Sequence, residues 1–208
     1  METIEALRFS FYILFHPFEG FWAVKFERRG NFRTATLIVY LLILYSIVSR
    51  QWTGFPFNAH ADANVNVFRE AIGIYIPFLL WCIANWSVTT LLDGEGTFRD
   101  IYVASAYALV PILLIGLPMI LVSNIIVLEE SRLYSALTLV SAAWSCYLMF
   151  AGLITIHQYT VRRTLFTILI AIVAMAAILF LFLLFFALIQ QVLNFFYIAY
   201  IEMTQRLL

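Results

Sequence analysis

Charge is what this sequence has least of. Asp, Glu, Lys and Arg make up 12% of its 208 residues, about half the share of an ordinary soluble domain. Acidic and basic residues balance at twelve each, so the total argues neither for nor against a nucleic-acid partner, and none is expected. Cysteine is nearly absent. Cys82 and Cys146 both lie in long apolar runs, which excludes a disulfide framework. The three histidines, His16, His60 and His157, are far apart. The HExxH, GxSxG and phosphate-loop patterns are missing, so neither an enzyme nor a cofactor is expected. No charged residue lies well inside any apolar run, which argues against a proton- or ion-coupled pump. The N-terminus, with Glu2 and Glu5, lacks the basic start and small-residue cleavage pattern of a signal peptide and is expected to be retained. A lipidation motif, a low-complexity linker and a repeat are missing too.

What is abundant is apolar surface, 64% of the residues. A water-soluble fold cannot cover so much, so part of the solvent must be lipid. Five charge-free runs stand out, at about 34–49, 71–92, 101–128, 133–161 and 164–199. They do not alternate polar with apolar residues, which excludes barrel strands. A helix satisfies its own backbone groups in lipid. The fold class is therefore all-α integral membrane, with residues 34–208 forming one five-span domain. Orientation follows from basic residues. Arg8, Lys25, Arg28, Arg29, Arg33, Arg99, Arg162 and Arg163 fall on one side, and Arg50, Arg69, Arg132 and Arg206 on the other. The excess predicts an N-terminus inside and a C-terminus outside.

Residues 1–33 form a cytoplasmic amphipathic segment. Within "FHPFEGFWAVKFERRG", a helix after Pro17 places Phe18, Phe21, Trp22 and Phe26 on one face. An aromatic face beside basic residues suits a collar in the membrane interface. Packing of that face on the spans is the compatible alternative. In the longest outside loop, Trp52, Phe55 and Phe57 suit an interface belt, and the polar "NAHADANVN" is expected to face water.

Three groups of residues merit attention as sites. Arg28, Arg29, Arg33, Arg162 and Arg163, with Trp22, are candidates for lipid or partner binding, each basic residue contributing about 1 kcal/mol beside anionic headgroups. Asn85, His157 and Gln158 form a candidate polar intramembrane cluster, with a hydrogen bond between Asn85 and His157 as ordinary bundle glue. In "LLDGEGTFRDIY", Asp93, Glu95 and Asp100 offer three carboxylates to a cation. The plainer reading is a turn made by Gly94 and Gly96, followed by a capping box of Thr97 with Asp100. Pro77, Pro111 and Pro118 are expected to bend their helices. Small residues at four-residue spacing, Ala104 with Ala108 and Ser141 with Ser145, favour close helix approach.

The stretch "GEGTFRDIYVASAYALVPILL" resembles the signature of the Yip (Rab-interacting) family of multispanning membrane proteins, through Gly94, Gly96, Thr97 and Phe98 and then Tyr107 to Pro111. Five spans with an inside N-terminus also fit that family. The resemblance implies a non-enzymatic membrane adaptor or organiser, or an accessory subunit of a membrane complex, with another membrane protein or a second copy as partner. Eukaryotic relatives bind small GTPases. This chain has no "DLYGP" stretch, so that partner is not expected, and a bacterial plasma membrane is. The alternative is a permease, a channel or a transporter subunit, with a route lined by Pro111, Gly116, Pro118, Asn85 and His157.

Overall fold

The computed structural model describes residues 3–54, 57, 66–127 and 130–206. Among them every regular element is a helix: α1 (Thr3–Phe15), α2 (Pro17–Phe26), α3 (Phe32–Trp52), α4 (Val67–Leu91), α5 (Phe98–Ala108), α6 (Val110–Val122), α7 (Ser131–His157) and α8 (Val161–Arg206). Five stretches are long and apolar enough to cross a bilayer: α3, α4, α5 with α6, α7, and α8 as far as Glu202. The expectations for Phe55 and for the polar stretch 58–65 fall outside the described residues. Phe57 stacks on Tyr134 with ring centroids 4.8 Å apart, and Trp52 is exposed.

Local chemistry sets most helix ends. Asn31 caps α3 by accepting from the Arg33 N–H at 3.1 Å, and Asn66 caps α4 through the Arg69 N–H at 3.2 Å. α6 stops at Val122, short of the end of its apolar run. The Ser123 hydroxyl and the Asn124 amide both donate back to the Ile120 carbonyl, at 2.7 and 2.9 Å, and such bonds compete with helix continuation. Asn124 also reaches the Trp52 carbonyl at 2.8 Å, tying the ends of α3 and α6 together. α7 ends where Gln158 turns left-handed, at φ 55°.

The prolines behave differently from one another. Pro77 and Pro118 lie inside continuous helices. Before Pro111 the third span is interrupted for one residue, at Leu109, whose backbone stays right-handed at φ −89° and ψ −2°. Proline has no N–H to offer the preceding turn, so the Leu109 N–H closes on Ala106 at 3.2 Å and α6 starts afresh.

α5 is the centre of the bundle, with every residue from Ile101 to Ala108 buried. Around it pack Ile38 and Val39 of α3, Phe78 and Cys82 of α4, and Leu148, Ala151 and Ile156 of α7. Ala104, Ala108, Ser141 and Ser145 are all buried, as close helix approach requires. α1 and α2 form an antiparallel pair. A β-carbon on Gly20 would sit 2.6 Å from Ile13 Cγ1, so only glycine permits this contact. Phe15, at the turn of the pair, meets Trp144 in the middle of α7 with ring centroids 5.9 Å apart. The four aromatic residues of α2 do not share one surface. Phe21 is fully buried, against Gly152, whereas Phe18, Trp22 and Phe26 are about half exposed.

α8 packs mainly on α4 and slightly on α7. Thr164, Thr167 and Ala171 are its buried side chains. From Leu179 to Ile198 every side chain is exposed.

Candidate functional site

One end of the bundle gathers the starts of α3, α5 and α8, the ends of α2, α4 and α7, and the loop Leu92–Thr97. That loop begins with a sharp turn, and the residue with the left-handed backbone is Asp93, at φ 51°. No described glycine has positive φ, so conformational freedom is not why Gly94 and Gly96 are there. Close approach is the reason. A β-carbon at position 94 would lie 2.7 Å from His157 Nδ1 and 2.7 Å from the Tyr159 oxygen. One at position 96 would lie 2.5 Å from Ile156 Cγ2 and 2.7 Å from His157 Cε1. The loop is a roof pressed onto the last turn of α7.

Several ties hold the roof down. The Tyr159 hydroxyl donates to the Leu92 carbonyl at 2.8 Å, and the Gly94 N–H donates to the Thr89 carbonyl at 2.8 Å. Arg163 also donates to the Leu92 carbonyl, sits 4.0 Å from the Asp93 carboxylate, and covers the Tyr159 ring at 4.5 Å. Burial raises the pKa of the Tyr159 phenol above its usual 10.0; Arg163 pulls it back and Asp93 adds to the rise. From the other side, Lys25 of α2 pairs with Glu95 at 2.7 Å. The Thr97–Asp100 capping box is formed, its hydroxyl and carboxylate 2.6 Å apart. The three carboxylates therefore point to three different partners: Asp93 to Arg163, Glu95 to Lys25 and Asp100 to Thr97.

Beneath the roof lie Asn85, 0% exposed, and His157, 2% exposed. The hydrogen bond expected between them is not formed. Both side-chain polar atoms of Asn85 and both ring nitrogens of His157 are buried without a hydrogen-bond partner. They lie on separate helices, α4 and α7, which both pack on α5. His157 instead stacks on Tyr159, ring centroids 5.4 Å apart. Gln158 turns away and donates to the Thr155 carbonyl at 2.7 Å.

The remaining predicted residues are divided among different tasks. Phe98 packs edge-on to Trp86 at 6.2 Å. Tyr107 is fully buried, its hydroxyl accepting from the Asn31 N–H at 3.4 Å where α3 begins. Pro111 marks the interruption of the third span. Arg29 pairs with Glu27 at 2.8 Å and lies over the Phe9 ring. Arg28, left-handed at φ 53°, faces a small cleft together with Lys25 and Arg99. Arg33 and Arg162 are exposed, and Trp22 lies beside Phe26 on the outer surface of the α1–α2 pair.

Of the motif residues, Gly94 and Gly96 meet the end of α7, Thr97 caps α5, and Tyr107 and Pro111 lie deeper along the third span. A family model, the Yip1 domain, matches residues 11–201. The chain belongs to the Yip1 domain family. It is a multi-pass integral membrane protein, all-helical in its described residues. No curated protein and no solved structure matches it.

At the opposite end this Yip1 domain holds a feature that the sequence reading passed over. Arg50 at the end of α3 and Glu70 at the start of α4 form an ion pair of 3.0 Å, with side chains 21% and 14% exposed. The Ser46 hydroxyl donates to the same carboxylate at 2.8 Å. The available signal was their position: each is the charge that bounds its apolar run, on the same side of the membrane.

Proposed function

We propose that this Yip1-domain protein is a non-enzymatic membrane adaptor or organiser, acting on lipid and on a membrane-protein partner or a second copy. Its basic end faces the cytoplasm, in a bacterial plasma membrane. The observation that carries the reading is the dispersal of the residues a transport route would need. Gly116 is filled by the Tyr45 ring, 2.5 Å from where a β-carbon would stand. Pro118 borders an apolar groove between α1, α3 and α6. Asn85 and His157 lie under the roof, and Pro111 is buried. In the described residues these side chains are spread over separate places. The polar groups of the basic end hold helix ends together instead, which is what a platform requires.

The test is mild-detergent purification with mass spectrometry, paired with reconstitution of the isolated chain in liposomes. The adaptor reading expects a stoichiometric membrane-protein partner or a defined oligomer, and liposomes that stay sealed. Solute flux through liposomes containing this chain alone overturns it. One observation favours transport as the second reading. The interruption at Leu109 lies in the middle of the third span, beside cavities of about 390 and 350 Å³ between α3 and α4. Broken helices line many transporter sites.

A further inference from the structure

A cleft of about 130 Å³ opens between the end of α2 and the start of α5. That is room for about four waters at ~30 Å³ each. Its floor is Val24 and Val103, and its charged walls are Lys25, Arg28, Arg99 and Asp100. Both nearby carboxylates have partners, although Asp100 keeps its negative charge because Thr97 is neutral. Asp100 accepts from the Thr97 N–H and hydroxyl at 3.1 and 2.6 Å, and Glu95 is held by Lys25. Arg28 and Arg99 form no ion pair among the described residues. The Lys25 side chain is only 10% exposed, so its charge is fixed at the wall and not waving in solvent.

Position adds a second argument. The cleft lies immediately before two spans, α3 from Phe32 and α5 from Phe98. The depth at which spans begin is the depth of lipid headgroups. Two arginines without an ion pair among the described residues, Arg28 and Arg99, above an apolar floor and beside the Lys25–Glu95 pair, match an anion carrying several acceptor oxygens. We infer that this cleft binds a phosphate group, presented by an anionic lipid headgroup or by soluble phosphate. The inference rests on the reading of this end as a lipid-facing platform and names the group it recognises.

The experiment embeds the whole protein in phosphatidylcholine nanodiscs with a minority of phosphatidylglycerol and follows lipid retention by native mass spectrometry. The wild type is expected to keep one phosphatidylglycerol. Arg28→Gly with Arg99→Gln removes two cations, and glycine accepts the left-handed backbone. Retention should fall roughly thirtyfold. Arg8→Gln with Arg162→Gln removes the same charge elsewhere and should change it less than threefold. Arg28→Lys with Arg99→Lys should restore most of it. Should the double variant unfold, Arg99→Gln alone, on an exposed side chain, is expected to lose about fivefold. In a second arm, phosphatidylcholine-only nanodiscs are titrated with inorganic phosphate. Binding there that depends on Arg28 and Arg99 keeps the site and assigns it to the soluble anion. Equal losses in the two charge-removing pairs, or no retention and no phosphate binding by the wild type, overturn it. These readouts involve no protein partner, so they fail or succeed separately from the adaptor reading.

Discussion

Substituting Gly96 by alanine puts the roof to its sharpest test. The new methyl carbon would stand 2.5 Å from Ile156 Cγ2, 2.7 Å from His157 Cε1 and 3.0 Å from His157 Nδ1. Neither neighbour is a flexible chain end: Ile156 is fully buried and His157 is 2% exposed. The loop has to lift or the end of α7 has to shift, and overpacking of this kind costs about 1–3 kcal/mol. Backbone strain adds nothing, because Gly96 lacks a positive φ. Lifting the roof also stretches the Tyr159–Leu92 hydrogen bond, worth about 0.5–1.5 kcal/mol. The sum is a destabilisation of about 1.5–4.5 kcal/mol. Truncating His157 to alanine opens space in the same spot and removes two unpartnered ring nitrogens. The double variant should therefore be more stable than the two single losses predict, with a coupling of about 0.5–3 kcal/mol. Equilibrium unfolding in detergent micelles, followed by tryptophan fluorescence, measures all four corners of the cycle. A Gly96→Ala change below about 0.5 kcal/mol, or strict additivity with His157→Ala, refutes the account of a roof seated on that imidazole.

Other outcomes follow from the same contacts. Thr97→Ala removes the cap of α5 and should destabilise by about 0.5–2 kcal/mol in the same unfolding assay, with earlier hydrogen exchange at the first turn of α5. The raised phenol pKa of Tyr159 ties the roof to the proton. The stabilisation is complete below the ordinary value of 10.0 and is lost as pH rises through the higher folded value. Arg163→Gln deletes the charge that holds this pKa down, so tyrosinate absorbance of Tyr159 should appear at higher pH than in the wild type, and exchange at Gly94 should quicken. At the opposite end, Glu70→Gln removes the carboxylate from the Arg50 pair in a largely buried place. About 2–3 kcal/mol should be lost in the unfolding assay, between the values for exposed and fully buried pairs, and Arg50→Gln added to it should recover part.

The membrane fold was legible because its signal is additive. Runs of twenty or so uncharged apolar residues tolerate many substitutions and still demand a helix in lipid. The capping box was legible too, since Thr97 and Asp100 interact three positions apart and need no third element. The role of Gly94 and Gly96 was not. Their spacing suggests a turn, yet the turn residue is Asp93, and the glycines answer to His157 and Tyr159, about sixty positions downstream. The same limit applies to α2. Periodicity groups Phe18, Phe21, Trp22 and Phe26 on one side, but Phe21 is the one buried in the core, its ring against the α7 glycine at position 152. Pro111 was expected to bend its span, and the helix is interrupted for one residue just ahead of it, where Leu109 closes a tighter turn. The Lys25, Arg28 and Arg99 cleft unites α2, the following loop and α5, and spacing along any single helix cannot reveal it.

α8 carries a consequence for the bilayer itself. Of its 46 residues, the charge-free run 164–199 makes a rod about 54 Å long. Hydrocarbon is about 30 Å deep, and a 40° tilt still leaves that run about 41 Å tall. Lipid around this helix must thicken, or the oily tip must find shelter against another surface. A thin surfactant ring will strand it, so the isolated chain should behave best in long-chain amphiphiles and worst in short ones.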